Sequence, residues 1–285
     1  MLFTVPTNKG ESGGVDVQQA IAILDSGVGG LTVVKEIMRQ LPREKIIYFG
    51  DTARAPYGPR DAAEVRAFTE QIVQYLLQFH PKMIVIACNT ATAVAIDRIR
   101  TKVDIPVIGV ISPGARAAIK TTRNGIVGVI GTEGTIRSRA YERALRSISP
   151  GIRVVSQPCP TLVPLVEKGL YEREEALPVV REALAPLTGI PMDCLILGCT
   201  HYPFLASLIA KVIGDDVALI SSAEETAREV STVLYHKGLL EKKVLRPVHQ
   251  FLCSGDPEIF RSIAQKWLGD EISVSPVVWQ VTRIG

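Results

Sequence analysis

The chain has no apolar run approaching the roughly 18 residues that a membrane-spanning helix needs, so no such span is expected. Its start, MLFTVPTNKGESGG, lacks the basic segment and long apolar stretch of a secretory signal, and residues 1–20 read as a polar, flexible leader. Cysteine is sparse: five residues, an odd number, with no CxxC pair and no His/Cys ladder. That excludes a disulfide framework and a zinc site of the usual spacing, and a cytoplasmic, reducing setting is expected. Charge of one sign is also lacking. With 32 Lys and Arg against 29 Asp and Glu, the formal charge is +3 over 285 residues, which gives no electrostatic reason to bind nucleic acid or a membrane. A dinucleotide fingerprint fails as well, because Thr32 stands where the third glycine of GxGxxG, counted from Gly27, would be.

What is present is ample core material, 47% apolar residues, arranged as alternating strand-like and helix-like segments from Ile21 onward. That alternation predicts an α/β protein with a mainly parallel sheet. Strands are expected at 21–24, 46–49, 83–87 and 107–110, the last closed by Ser112-Pro113-Gly114. Further strands are expected at 126–130, 153–156, 195–197, 217–220 and 250–253. Helices are expected between them, among them 134–145, 174–187 and a final one at 257–267. The polar residues at successive strand ends, Asp25, Asp51 and Cys88, fall at nearly the same intervals as Thr132, Cys159 and Cys199. Two similarly built halves would each aim their strand C-terminal ends at a ligand, with one cysteine on each side of a cleft.

Cys88 and Cys199 have matching surroundings. MIVIACNTATAVAI and LILGCTHYPF each run from an apolar strand through a cysteine into a helical pattern. A cysteine at a helix start meets free N–H groups and the positive end of the helix dipole, a position expected to favour thiolate. Two opposed thiols suit proton transfer at carbon: one removes a proton while the other delivers one to the opposite face, inverting a stereocentre. Asp25 is placed to orient Cys88, and His201 and Glu167 to do the same for Cys199. Asn89, Thr90 and Thr200 follow the cysteines directly, where side chains and N–H groups can bind a carboxylate; Ser26 and Thr132 suit the same task.

Read together, ILDSGVGGLTV, YFGDTARAPYG, ACNTATA, GTEGTIRS, CPTLVPLVEKG and LILGCTHYP resemble the glutamate racemases of the aspartate/glutamate racemase family, in order and from Ile21 to at least Ala227. The resemblance implies two similar parallel-sheet α/β domains with the active site in the cleft between them. The first would comprise 21–111 plus 222–285, and the second 112–221. It implies interconversion of L- and D-glutamate without pyridoxal phosphate, metal or other cofactor, supplying D-glutamate for peptidoglycan. Cys88 and Cys199 would act on opposite faces of Cα, with Asp25 assisting the first and Glu167 and His201 the second. Asp25, Ser26, Tyr57, Gly58, Asn89, Thr90, Thr200 and His201 would line the substrate pocket, with Thr132 and Thr135 as further contacts. The small-molecule partner would be glutamate, and the assembly a homodimer.

Plainer readings stand beside these. Cys194 and Cys253 lie within apolar strands and read as packing. Cys159 reads as a bystander near the cleft, and Glu167 alone as an ordinary exposed carboxylate. Rival functions are a racemase of aspartate or a related amino acid, a Cys199–His201 hydrolase that leaves Cys88 unexplained, and a binding protein that needs neither thiol.

Overall fold

The computed structural model describes residues 19–171, 173–243, 246–269 and 272–279. The leader expected over 1–20 lies outside the described residues as far as residue 18. Strands β1 (Ile21–Asp25), β2 (Ile46–Gly50), β3 (Met83–Ile86) and β4 (Val107–Gly109) are followed by β5 (Ile126–Gly131), β6 (Arg153–Pro158), β7 (Cys194–Gly198) and β8 (Ala218–Ser221). Late in the chain come β9 (Gln250–Cys253) and β10 (Val274–Pro276). They form two sheets, ordered β10-β9-β2-β1-β3-β4 and β6-β5-β7-β8, with every pairing parallel. The molecule is therefore two parallel-sheet α/β domains, and the last two strands join the first sheet beside β2.

A parallel sheet is covered by helices on both faces, so its strands must be apolar throughout. All five residues of β1 are buried. Successive side chains serve opposite layers: Ile21, Ile23, Tyr48 and Val85 enter one core cluster, Ala22, Leu24, Phe49 and Ile86 another. The first of these clusters also takes in Leu195 and Leu197 of β7, so the domains share a core on that side.

The winding repeats. In the first domain β1 lies between β2 and β3, and in the second β5 lies between β6 and β7. Strand order reverses at each central strand, which opens a crevice at the C-terminal ends of its neighbours. Cys88 follows β3 and Cys199 follows β7, so the two cysteines hold equivalent positions in the two windings.

Three expectations are corrected. Ser112-Pro113-Gly114 does not close β4; it lies in the first turn of the helix Ile111–Thr121, where proline costs no hydrogen bond. The helix expected over 134–145 is two, Glu133–Arg137 and Ala140–Ile148, broken at Arg139, whose φ is 53°. The one expected over 174–187 is α-helical only at Leu177–Leu184. A tighter 3₁₀ turn stands at each end, the second containing Pro186.

Candidate active site

The turn after β1 is held by its own first residues. Asp25 is fully buried; its Oδ2 accepts from the Gly27 N–H at 3.0 Å, while the Tyr48 hydroxyl donates to Gly27 O at 2.7 Å. From the second domain the Thr200 hydroxyl donates to Asp25 Oδ1 at 3.3 Å. Gly29 makes this approach possible, since a Cβ there would collide with Thr200 Oγ1 and the His201 ring.

Cys88 caps the helix Asn89–Arg100, its sulfur accepting from the Ala91 N–H at 3.5 Å and lying 3.7 Å from Ser26 Oγ. Its sulfur is thus partnered by Ser26 and the helix start, with Asp25 acting on it only through charge. Across the cleft, Cys199 Sγ lies 3.7 Å from His201 Nδ1, and His201 Nε2 lies 3.6 Å from a Glu167 oxygen. Glu167, His201 and Cys199 thus stand in line, the Glu167–His201 contact being at ion-pair distance with no hydrogen bond to Nε2. Glu167 keeps 41% of its side chain exposed, so this line runs from solvent to the buried sulfur.

Both sulfurs line one narrow pocket between the domains. Ser26, Tyr57, Gly58, Asn89 and Thr90 line it from the first domain, and Thr132, Glu167, Thr200 and His201 from the second. Asp25 and Thr135 do not line it. Asp25 stands behind Thr200, and Thr135 hydrogen-bonds Thr90 and Thr132 at 3.1 Å each. Asn89 is fixed from the second domain by the Tyr141 hydroxyl, which donates to its Oδ1 at 2.7 Å; its buried Nδ2 then has no protein partner. An unpaired buried donor on a cavity wall is a binding group for an anionic oxygen. The Gly134 N–H donates to Gly58 O at 2.9 Å, and Thr90 meets Thr132 at 2.9 Å, closing the rim. Ala55, Pro56 and Val163 also line the cavity and escape a reading based on reactive residue types. A larger and more open depression, flanked by Lys35, Tyr171, Phe204 and Trp267, holds neither thiol.

The proton affinities correct one expectation. Burial, reinforced by the nearby Asp25 charge, pushes the Cys88 thiol up to about 12, and the helix N–H and Ser26 recover only part of this. The helix-start position therefore does not make Cys88 a thiolate. Asp25 is likewise raised by burial, against the pull of His201 and its hydrogen bonds. Burial alone would lower His201, but the Cys199 and Glu167 contacts and the Cys199 and Asp25 charges outweigh it and hold the imidazole at about 10. Among the described residues no group of three or more His, Cys, Asp or Glu is arranged to hold a metal ion.

The profile of the Asp/Glu/Hydantoin racemase family matches residues 21–230. A glutamate racemase of Bacillus cereus is 54% identical over 256 residues, covering 90% of this chain and 95% of that protein. The crystal structure of a glutamate racemase isoform from Bacillus anthracis superposes with a TM-score of 0.89 at 52% identity, covering 91% of this chain and 97% of that one. A Francisella tularensis glutamate racemase solved in complex with D-glutamate gives 0.86 at 36% identity, covering 92% and 98%.

Proposed function

This chain belongs to the Asp/Glu/Hydantoin racemase family and is an isomerase, and on that premise we propose that it interconverts L- and D-glutamate by proton transfer between Cys88 and Cys199. The observation that carries the reading is that both sulfurs line one pocket from equivalent ends of two like-wound sheets. With an amino acid seated there, one sulfur takes the α-proton as the other protonates the opposite face of the carbanion. The products are the mirror-image amino acid and a site with its protonation reversed.

The α-proton is weakly acidic, so the site must stabilise the carbanion and its carboxylate. Asn89 Nδ2 and the Ser26 hydroxyl are the donors available for this, since the Thr200 and Thr132 hydroxyls already donate to Asp25 and Thr135. Closure of the rim excludes bulk water and strengthens each of these bonds. His201 exchanges the Cys199 proton, with Glu167 at the solvent end of the relay. Cys88 begins as the thiol, its high proton affinity making it a donor first; Asp25 restrains its ionisation and holds Thr200. The product D-glutamate would feed peptidoglycan synthesis in the cytoplasm.

The test is incubation with L-glutamate in D2O without added cofactor, following optical rotation and α-deuteration. Both signals are expected in the parent; racemisation is lost in Cys88→Ala and in Cys199→Ala, and slow α-deuteration of L-glutamate survives in only one of the two. A hydrolase built on Cys199 and His201 would be indifferent to Cys88. Exchange with aspartate faster than with glutamate would overturn the substrate assignment.

A further inference from the structure

Asp51 has no place in the proton transfer, yet it is among the most heavily used carboxylates in the chain. It is fully buried at the end of β2, and its N–H donates to Asp25 O at 3.0 Å. Its two oxygens divide their work. Oδ2 accepts from Arg54 Nε at 2.6 Å and from the Tyr57 hydroxyl, both on the loop that follows β2. Oδ1 accepts from Ser254 Oγ at 2.7 Å and from Trp279 Nε1 at 3.0 Å, both near the end of the chain. One side chain thus ties a cavity wall to the C-terminal segment.

The rest of this region tightens the same junction. The Arg54 guanidinium is sandwiched between the Phe68 ring at 4.2 Å and the Trp279 ring at 4.1 Å, and its Nη1 donates to Gln71 at 2.6 Å. The Ala53 N–H donates to Ser254 Oγ at 3.1 Å, and the Gly255 N–H to Thr52 Oγ1 at 2.9 Å. Stitched in this way, the loop carries Tyr57 into the cavity and presents Gly58 O to Gly134 of the other domain.

We propose that Asp51 is a positioning residue for the reaction, fixing Tyr57 and Gly58 at the rim and making their placement depend on the docking of Ser254 and Trp279. The inference rests on the functional reading above and deepens it. Charge-assisted hydrogen bonds to a buried carboxylate are short and directional, so they set a position more sharply than apolar contact does. A neutral amide cannot satisfy four donors, and the loop would sit differently without the charge. A misplacement of about 1 Å at a cavity wall costs up to about 10²-fold in rate.

The experiment is a double-mutant cycle on the full-length protein with Asp51→Asn, Tyr57→Phe and the pair, read as kcat/KM for glutamate, with Trp279→Phe as a separate variant. Trp279→Phe keeps an aromatic ring beside Arg54 while removing the N–H donor and the second ring of the indole. Each single loss is expected to lie between about 10- and 100-fold for Asp51→Asn, smaller for Trp279→Phe, with the double variant well short of the product of its singles. Amide exchange at residues 52–58 is expected to accelerate in Asp51→Asn and Trp279→Phe, while β5 keeps its protection. Losses that multiply, or unchanged exchange at 52–58, would overturn the inference, because Asp51 would then act on the rate without placing Tyr57 or its loop. The unmodified protein is assayed alongside. If it does not racemise glutamate the functional reading fails, and exchange at 52–58 still decides the role of Asp51.

Discussion

Thr200 Oγ1 donates to Asp25 Oδ1 across 3.3 Å, joining the end of one sheet to the end of the other at the point where the two sulfurs face a common space. The acceptor is a fully buried carboxyl whose proton affinity is raised by burial. For an acid, a folded-state value above the unfolded one means that ionisation opposes folding. Stability is complete below the unfolded value and is lost as pH rises through the folded one.

Asp25→Asn should therefore be more stable than the parent near pH 7, read as a higher urea midpoint with an unchanged slope. The same variant should lose up to about 10²-fold in racemisation, the scale of a misplaced cavity wall, because Asp25 holds Thr200 and its charge acts on Cys88. A lower midpoint at pH 7 together with full activity would contradict both halves of the argument.

His201 makes the opposite contribution. Its folded-state value of about 10 lies above the usual 6.5, so its charge supports the fold fully below pH 6.5, and that support fades as pH rises toward 10. Urea midpoints for the parent should fall across that window more steeply than those for His201→Gln. Parallel curves from pH 6 to pH 10 would show that the imidazole is not held charged by its neighbours.

Removing one sulfur should leave half a reaction. Cys88→Ala and Cys199→Ala are each expected to lose racemisation by at least about 10²-fold, yet each should still exchange the α-proton of one enantiomer slowly in D2O. The retained enantiomer should differ between the two variants. NMR of separate L- and D-glutamate samples reads this, and equal exchange of both enantiomers by either variant would rule out opposed bases.

Gly29→Ala would push a methyl group into Thr200 and His201. Overpacking of this kind costs about 1–3 kcal/mol, and here it also parts the domains where they meet. Activity should fall further than stability; a melting curve and a rate measured on the same preparation compare the two.

Much of this arrangement is legible before any coordinates. IAIL, MIVI and LILG are continuous apolar runs because each strand is covered on both faces, and each ends in a polar or small residue at the crevice. The cysteines stand out because two unlike segments share one build. Ala55, Pro56 and Val163 could not be found this way, since inert side chains carry no chemical signature. The break at Arg139 has no glycine or proline to announce it. Strand β10 is three residues long and contains Pro276, which only an edge strand accepts, so its sequence does not read as a strand. The high proton affinity of Cys88 is set by the depth at which the domains bury it, a property of packing that local spacing does not contain.

The two thiols answer to unlike neighbours: Cys88 to Ser26 and the Asp25 charge, Cys199 to His201 and, beyond it, Glu167. Enantiomers have equal free energy in solution, so kcat/KM must be the same in both directions whatever the enzyme does. On the proposed reading, an asymmetric pair of bases acting on a symmetric equilibrium must then show its asymmetry elsewhere. The direction with the tighter Michaelis complex turns over more slowly, by the same ratio.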